Sequence, residues 1–169
     1  MWRLRGTTLL IQTPGKNVRV PICGALRYPD GPFVYELGPL YKHPNSRTFI
    51  GMLEKLVDRA KRTHKRIILV LDNGSNHTSG ISMRAIQAAE EHVRVFWIPK
   101  YTSEQLNDVE NLWGHLKDDY FCRMLAKTAQ QFQEEVIGLL EQLSKPGGVR
   151  RMLKPQDTMR VRTKLRRTA

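Results

Sequence analysis

Arg66-Ile67-Ile68-Leu69-Val70-Leu71-Asp72-Asn73-Gly74 decides the fold. Its near-continuous apolar run is that of a strand covered on both faces in a parallel sheet. Asp72-Asn73-Gly74 closes it with a turn. Downstream, residues 79–91 fit a helix with Ile81, Ala85, Ile86 and Ala89 on one side. Val93-Arg94-Val95-Phe96-Trp97-Ile98 is a second strand of the buried kind, stopped by Pro99. Upstream, Asn45 or Ser46 caps a helix running to about Thr63, with Phe49, Ile50, Leu53, Leu56, Val57 and Ala60 at helical spacing. Before it, residues 18–28 read as extended, Pro29-Asp30-Gly31-Pro32 as a turn and residues 33–37 as a returning strand, so a hairpin is expected. After a loop to Leu106, a helix is expected from Asn107 to about Cys122, and a last amphipathic helix over 129–143, broken by Lys145-Pro146-Gly147-Gly148. A hairpin followed by a strand–helix–strand crossover predicts an α/β architecture, a mixed sheet flanked by helices. Residues 1–143 are read as the folded domain and residues 144–169 as a basic C-terminal tail.

The chain has 169 residues and formal net charge +12. Eight of those charges lie in residues 144–169, where Lys145, Arg150, Arg151, Lys154, Arg160, Arg162, Lys164, Arg166 and Arg167 face one acid, Asp157. A pI near 10.1 with a basic tail points to a polyanion, most simply nucleic acid. The tail has no interleaved aromatics, so its cations would contact phosphates without reading sequence. The blander reading is a solvated tail that aids solubility. No run of eighteen apolar residues argues for a membrane span, and Met1-Trp2-Arg3-Leu4-Arg5 does not open a secretory signal. Cys23 and Cys122 form no metal-type pair and no disulfide framework. That suits a reducing compartment.

Two carboxylates are candidates for chemistry. Asp72 ends the apolar strand, where ligands gather in open α/β sheets; it could equally cap the turn. Glu110 stands in the first turn of the helix after Asn107. There Asn107-Asp108-Val109-Glu110 also has the form of a capping box. Converging carboxylates from different elements are what hard divalent ions require, and a pair of such ions can cleave a phosphodiester. Trp97 and Trp113 could stack on bases, but a strand and an apolar helix stripe favour core positions.

The stretch Ile67 to His77, with Asp72-Asn73-Gly74-Ser75-Asn76-His77, resembles the second-aspartate motif of insertion-sequence transposases. The stretch Trp97 to Lys117 resembles the block with the final glutamate, whose pattern is roughly L-P-x-Y-S-P-x-L-N-P-I-E-x-x-W-x-x-L-K. Tyr101, Leu106, Asn107, Glu110, Trp113, Leu116 and Lys117 fall in place. The family is the IS630/Tc1/mariner superfamily with its DDE catalytic domain, and the resemblance covers about residues 1–125. It implies an RNase H-like fold and Mg²⁺- or Mn²⁺-dependent DNA cleavage and strand transfer, acting on transposon ends and target as double-stranded DNA. Asp72 and Glu110 would be metal-binding catalytic residues, with Asn73, His77, Tyr101 and Asn107 near the site. A prokaryotic cytoplasmic, nucleoid-associated protein is implied.

Some positions depart from the pattern. Thr102-Ser103 stands for Ser-Pro, and Asp108 for Pro, where an acid suits the helix N-terminus. The family's first catalytic aspartate lies on a strand before the region matched by Trp2. The chain is therefore expected to lack that aspartate, that central strand and the end-recognising helix-turn-helix region, and to be inactive alone. Asp30, Glu36, Asp108, Asp118 and Asp119 are poor substitutes by position. The leading expectation is a DDE transposase catalytic domain, a truncated or split-gene product partnered by an upstream transposase product or by itself as a homo-oligomer. Its rivals are a non-catalytic DNA-binding or dimerising remnant and a pseudogene product.

Overall fold

The computed structural model describes residues 18–27, 32–99, 102 and 107–152. Strands β1 (Ile22–Ala25) and β2 (Val34–Leu37) form the expected antiparallel hairpin, with Cys23 opposite Glu36. Helix α1 (Ser46–Thr63) follows. The Asn45 side chain accepts from the Arg47 and Thr48 amides, an N-cap that satisfies two otherwise orphaned donors. Strand β3 (Ile67–Leu71), a short turn of helix α2 (Ser75–Thr78), helix α3 (Gly80–Ala88) and strand β4 (Val93–Trp97) make the crossover, and β3 and β4 pair in parallel. Helix α4 (Asp108–His115) runs on into a π turn, Leu116–Tyr120, and a 3₁₀ turn, Phe121–Arg123. Helix α5 (Ala129–Ser144) is the expected amphipathic helix, with Val136, Leu139, Leu140 and Leu143 buried. A further helix, α6 (Gly148–Met152), lies inside the expected tail and buries Val149.

Two cores hold these elements. Phe33 packs with Leu112, Leu116, Val136, Leu140 and Leu143 from the C-terminal half. Phe49, Met52, Leu53 and Leu56 of α1 pack with Leu69, Leu71 and Val93. The hairpin lies between them. Ile22, Leu26, Tyr35 and Leu37 face the first core; Cys23, Ala25 and Val34 face the second. This is the alternation a strand imposes on its side chains. Trp97 packs partly buried on the α1 core, and Trp113 meets Phe33 edge-on at 5.6 Å on the other. Both are core residues, as expected.

The strands form two separate sheets, β1–β2 and β3–β4. Burial of β3 on both faces does not hold. Leu69 and Leu71 are buried, but Ile68 is 72% and Val70 46% exposed, and Phe96 on β4 is 65% exposed. Leu69, Leu71 and Val93 meet α1 on one face, and the helices after β4 pack on the hairpin instead. Ile81 is also exposed, while α3 turns Ser82 inward. The Ser82 hydroxyl donates to the Asn76 carbonyl at 2.5 Å, which accounts for a polar residue there.

Candidate functional site

Asp72 follows the last residue of β3, so the strand fixes its backbone and the turn fixes its side chain. The Gly74 amide donates to Asp72 Oδ1 at 2.9 Å, the turn-capping bond that Asp-Asn-Gly predicts. His77 Nδ1 donates to the same oxygen at 2.9 Å. Both contacts use Oδ1, so the turn role engages one oxygen of the carboxylate. The His77 ring leans on buried Phe49, ring centroids 4.8 Å apart. Ser79 and Ser46 share a 2.7 Å hydroxyl bond that ties the loop to the start of α1. Asn73 donates to the Ile98 carbonyl at 2.7 Å, latching the ends of β3 and β4 together. It therefore stabilises the loop behind the carboxylate.

Glu110 sits exposed in the first turn of α4, its amide donating to the Asn107 carbonyl at 3.0 Å. Asn107 occupies the N-cap position, but its side chain makes no capping bond, so the expected capping box is not formed. Asn107 instead lines a cavity of about 910 Å³ together with Asp72, Asn76, His77 and Glu110. The fold thus brings Asp72 and Glu110 to one cavity across the thirty-seven residues between them.

Cys23 of β1 borders the same cavity. Burial, then the negative charges of Asp72 and Glu36, push its thiol up to about 12. That places the Asp72 charge within electrostatic reach of the hairpin. Spacing gave no hint of this neighbour, nor of Asn76.

Two of the other acids have basic partners of their own. Glu36 pairs with Lys55 at 2.8 Å, and Asp119 with His115 at 3.0 Å. Among the described residues no group of three or more His, Cys, Asp or Glu is placed to hold a metal ion. Two carboxylates supply the oxygen donors that a hard divalent cation takes, and fall short of a full protein ligand set. Asp30, Tyr101, Lys154, Arg160, Arg162, Lys164, Arg166 and Arg167 lie outside the described residues, as does the side chain of Arg151. Arg150 is exposed on α6. No helix among the described residues is long and apolar enough to cross a membrane.

Comparison with known proteins agrees on the family. Residues 1–133 match the family model described as DDE superfamily endonuclease. The chain is 30% identical over 148 residues to the "Insertion element IS630 uncharacterized 39 kDa protein" of Shigella sonnei, a match covering 87% of this chain and 41% of that protein. The chain thus spans about two fifths of the length of the curated relative it matches. In structure it is similar to the Mos1 transposase catalytic domain, solved with raltegravir and magnesium. The TM-score is 0.57 at 11% identity, over 88% of this chain and 81% of that one, a likeness of fold.

Proposed function

The chain belongs to the DDE superfamily of endonucleases, as a domain of the IS630/Tc1/mariner kind, and from that premise we propose that it carries part of the site for DNA cleavage and strand transfer in an insertion-sequence transposase. The observation that carries the reading is the convergence of Asp72 and Glu110 on one cavity from separate elements. Asp72, which lines that cavity, is oriented by Gly74 and His77 through Oδ1. Glu110 is held by the first turn of α4 and stays in solvent reach. Bound Mg²⁺ or Mn²⁺ would supply Lewis acidity toward a phosphodiester and a water of lowered pKa.

Among the described residues two carboxylates line the cavity, which is a weak cation site. These 169 residues bind a divalent ion weakly and do not cut DNA by themselves. Cations of the C-terminal segment, Arg150, Arg151, Lys154, Arg160, Arg162, Lys164, Arg166 and Arg167, hold duplex DNA by its phosphates. A homo-oligomer or an upstream transposase product completes the assembly in the cytoplasm of a prokaryote. The second reading, a DNA-binding remnant without catalysis, is favoured by the same shortage of a third carboxylate.

The test is Mn²⁺ titration followed by water-proton relaxation, beside a nicking assay on supercoiled DNA. The expected result is weak Mn²⁺ binding that falls in both Asp72→Asn and Glu110→Gln, with no nicking. Binding indifferent to both substitutions would remove the metal site. Magnesium-dependent nicking that Asp72→Asn abolishes would overturn the inactivity of the chain alone.

A further inference from the structure

Residues 59–66 read Arg59-Ala60-Lys61-Arg62-Thr63-His64-Lys65-Arg66, five cations and a histidine with no acid among them. They span the end of α1 and the approach to β3. The helix ends in a Schellman turn. Lys65 N–H donates to the Ala60 carbonyl and His64 N–H to the Lys61 carbonyl, each at 3.3 Å. The turn brings Lys65 back against the helical turn that carries Arg59 and Arg62. Those two arginines, three residues apart, are neighbours on the helix surface. Arg27, which follows β1, borders the large cavity together with Arg59, Lys65 and Arg66. Arg59 and Arg62 also border a trough of about 430 Å³ between α1 and β2. Arg59 touches both hollows, so these cations form one continuous pole.

Ordinary structural roles account for part of this charge. Lys61 and Arg62 stand in the last turn of α1, where cations suit the helix dipole. Arg66 donates to the Glu90 carbonyl at 2.6 Å. Lys55, one turn before Arg59, is neutralised by Glu36 at 2.8 Å. Arg27, Arg59, Lys61, Arg62 and Lys65 make no ion pair among the described residues. Asp58 and the turn residues Glu90 and Glu91 are the acids nearest in the chain and across the turn, three against six cations. The arrangement also costs stability. Like charges at this helical spacing repel. His64 takes the left-handed conformation, φ 52°, at the position where a Schellman turn ordinarily has glycine. Local costs without a local gain are a mark of functional surfaces.

We propose that this pole is a docking surface for the phosphate backbone of duplex DNA, separate from the carboxylate end of the sheet. Asp72 lies six residues beyond Arg66, about 20 Å along an extended strand. A phosphate held at the pole is therefore not the one that meets Asp72 and Glu110. The inference goes beyond the function proposed above, which gave DNA contact to the C-terminal segment, and it stands on charge and geometry alone. Duplex DNA carries one negative charge per about 1.7 Å of axis, a density that suits a cluster of unpaired cations. The forked guanidinium groups of Arg59 and Arg62 match phosphate oxygens in pairs. Residues 59–66 contain no Phe, Tyr, Trp, Asn or Gln. Thr63 donates its hydroxyl to the Arg59 carbonyl at 2.9 Å. The pole thus holds backbone without reading base edges.

The experiment is lysine acetylation footprinting by mass spectrometry on the full chain, with and without duplex DNA, at low salt and without divalent ions. Lys61 and Lys65 are expected to lose acetylation when duplex is present, and exposed Lys127 to keep it. Fluorescence anisotropy at several salt concentrations supplies a second reading. Arg62→Gln with Lys65→Gln makes the slope of log affinity against log salt shallower by about two. Arg84→Gln with Lys127→Gln removes the same net charge from exposed positions elsewhere and leaves the slope nearly unchanged. Equal shifts in the two double variants would mean that only overall charge counts. Undiminished acetylation of Lys61 and Lys65 in the natural chain would mean that the pole stays in water, whatever the variants do. Protection by polyglutamate and not by duplex would assign the pole to an acidic protein. Each of these results overturns the proposal. Mn²⁺ binding that still depends on Asp72 and Glu110 when the footprint fails would sink the pole and leave the functional reading standing.

Discussion

His77 and Asp72 form a pair in which the ring supports the carboxylate: Nδ1 lies 2.9 Å from Oδ1, and the ring is braced on Phe49. A residue bonded to the back of a candidate metal ligand fixes the direction in which the remaining oxygen points. His77→Ala is expected to weaken Mn²⁺ binding by about tenfold, and His77→Asn, which keeps a donor, to recover part of it. Relaxation titrations read both. Unchanged affinity in the alanine variant would mean that Gly74 alone orients Asp72.

Gly24 is required by packing. A methyl group there would sit against the ring of Phe33, well inside van der Waals contact, and Phe33 is buried in the first core. Gly24→Ala is expected to cost about 1–3 kcal/mol by overpacking, measured by urea unfolding. Adding Phe33→Leu should return part of that loss. Additive losses in the double variant would show that the two positions are not coupled.

The Cys23 thiol gives the fold an alkaline limit. Its folded pKa is raised to about 12 from an ordinary value of 9.0. The folded state therefore keeps its proton where the unfolded chain has lost it. Its contribution is intact below pH 9 and declines as pH rises through that window, by about 1.4 kcal/mol per pH unit at most. Urea midpoints taken between pH 8 and pH 11 should fall more steeply for the natural chain than for Cys23→Ala. Equal slopes would place the thiol in water.

DNA affinity should be electrostatic and concentrated in the tail. Removing residues 153–169 takes away Lys154, Arg160, Arg162, Lys164, Arg166 and Arg167. If all six meet phosphates, the slope of log affinity against log salt becomes shallower by about five. Fluorescence anisotropy with a labelled duplex at several salt concentrations measures it. A slope unaffected by the deletion would move the DNA contact onto residues 1–152.

Local chemistry made much of this molecule legible. The Asn45 cap, the hairpin around its turn and the parallel crossover all follow from residue types whose preferences are set within a few positions. Asp72 and Glu110 were legible as a pair because both stand where elements begin or end. What local sequence did not reveal depends on which layer covers which face. The run Ile67–Leu71 shows that each side chain tolerates burial. It does not show that a layer exists over Ile68 and Val70, which stand exposed. Asn107 had the composition of a cap, yet its side chain borders the cavity instead. The π turn at Leu116–Tyr120 lies inside a stripe that looked continuously α-helical, and it shifts the helical phase by hydrogen bonding alone. Val149 was hidden by the charges around it, yet it packs in the first core.

The bare face of Ile68, Val70 and Phe96 has a cellular consequence. An apolar β-surface beside an open strand edge is what chaperones bind and what templates amyloid-like stacking. Left uncovered in a cell, it would expose the chain to triage between rescue and proteolysis, and abundance would then follow the supply of whatever shields that surface more closely than the rate of synthesis.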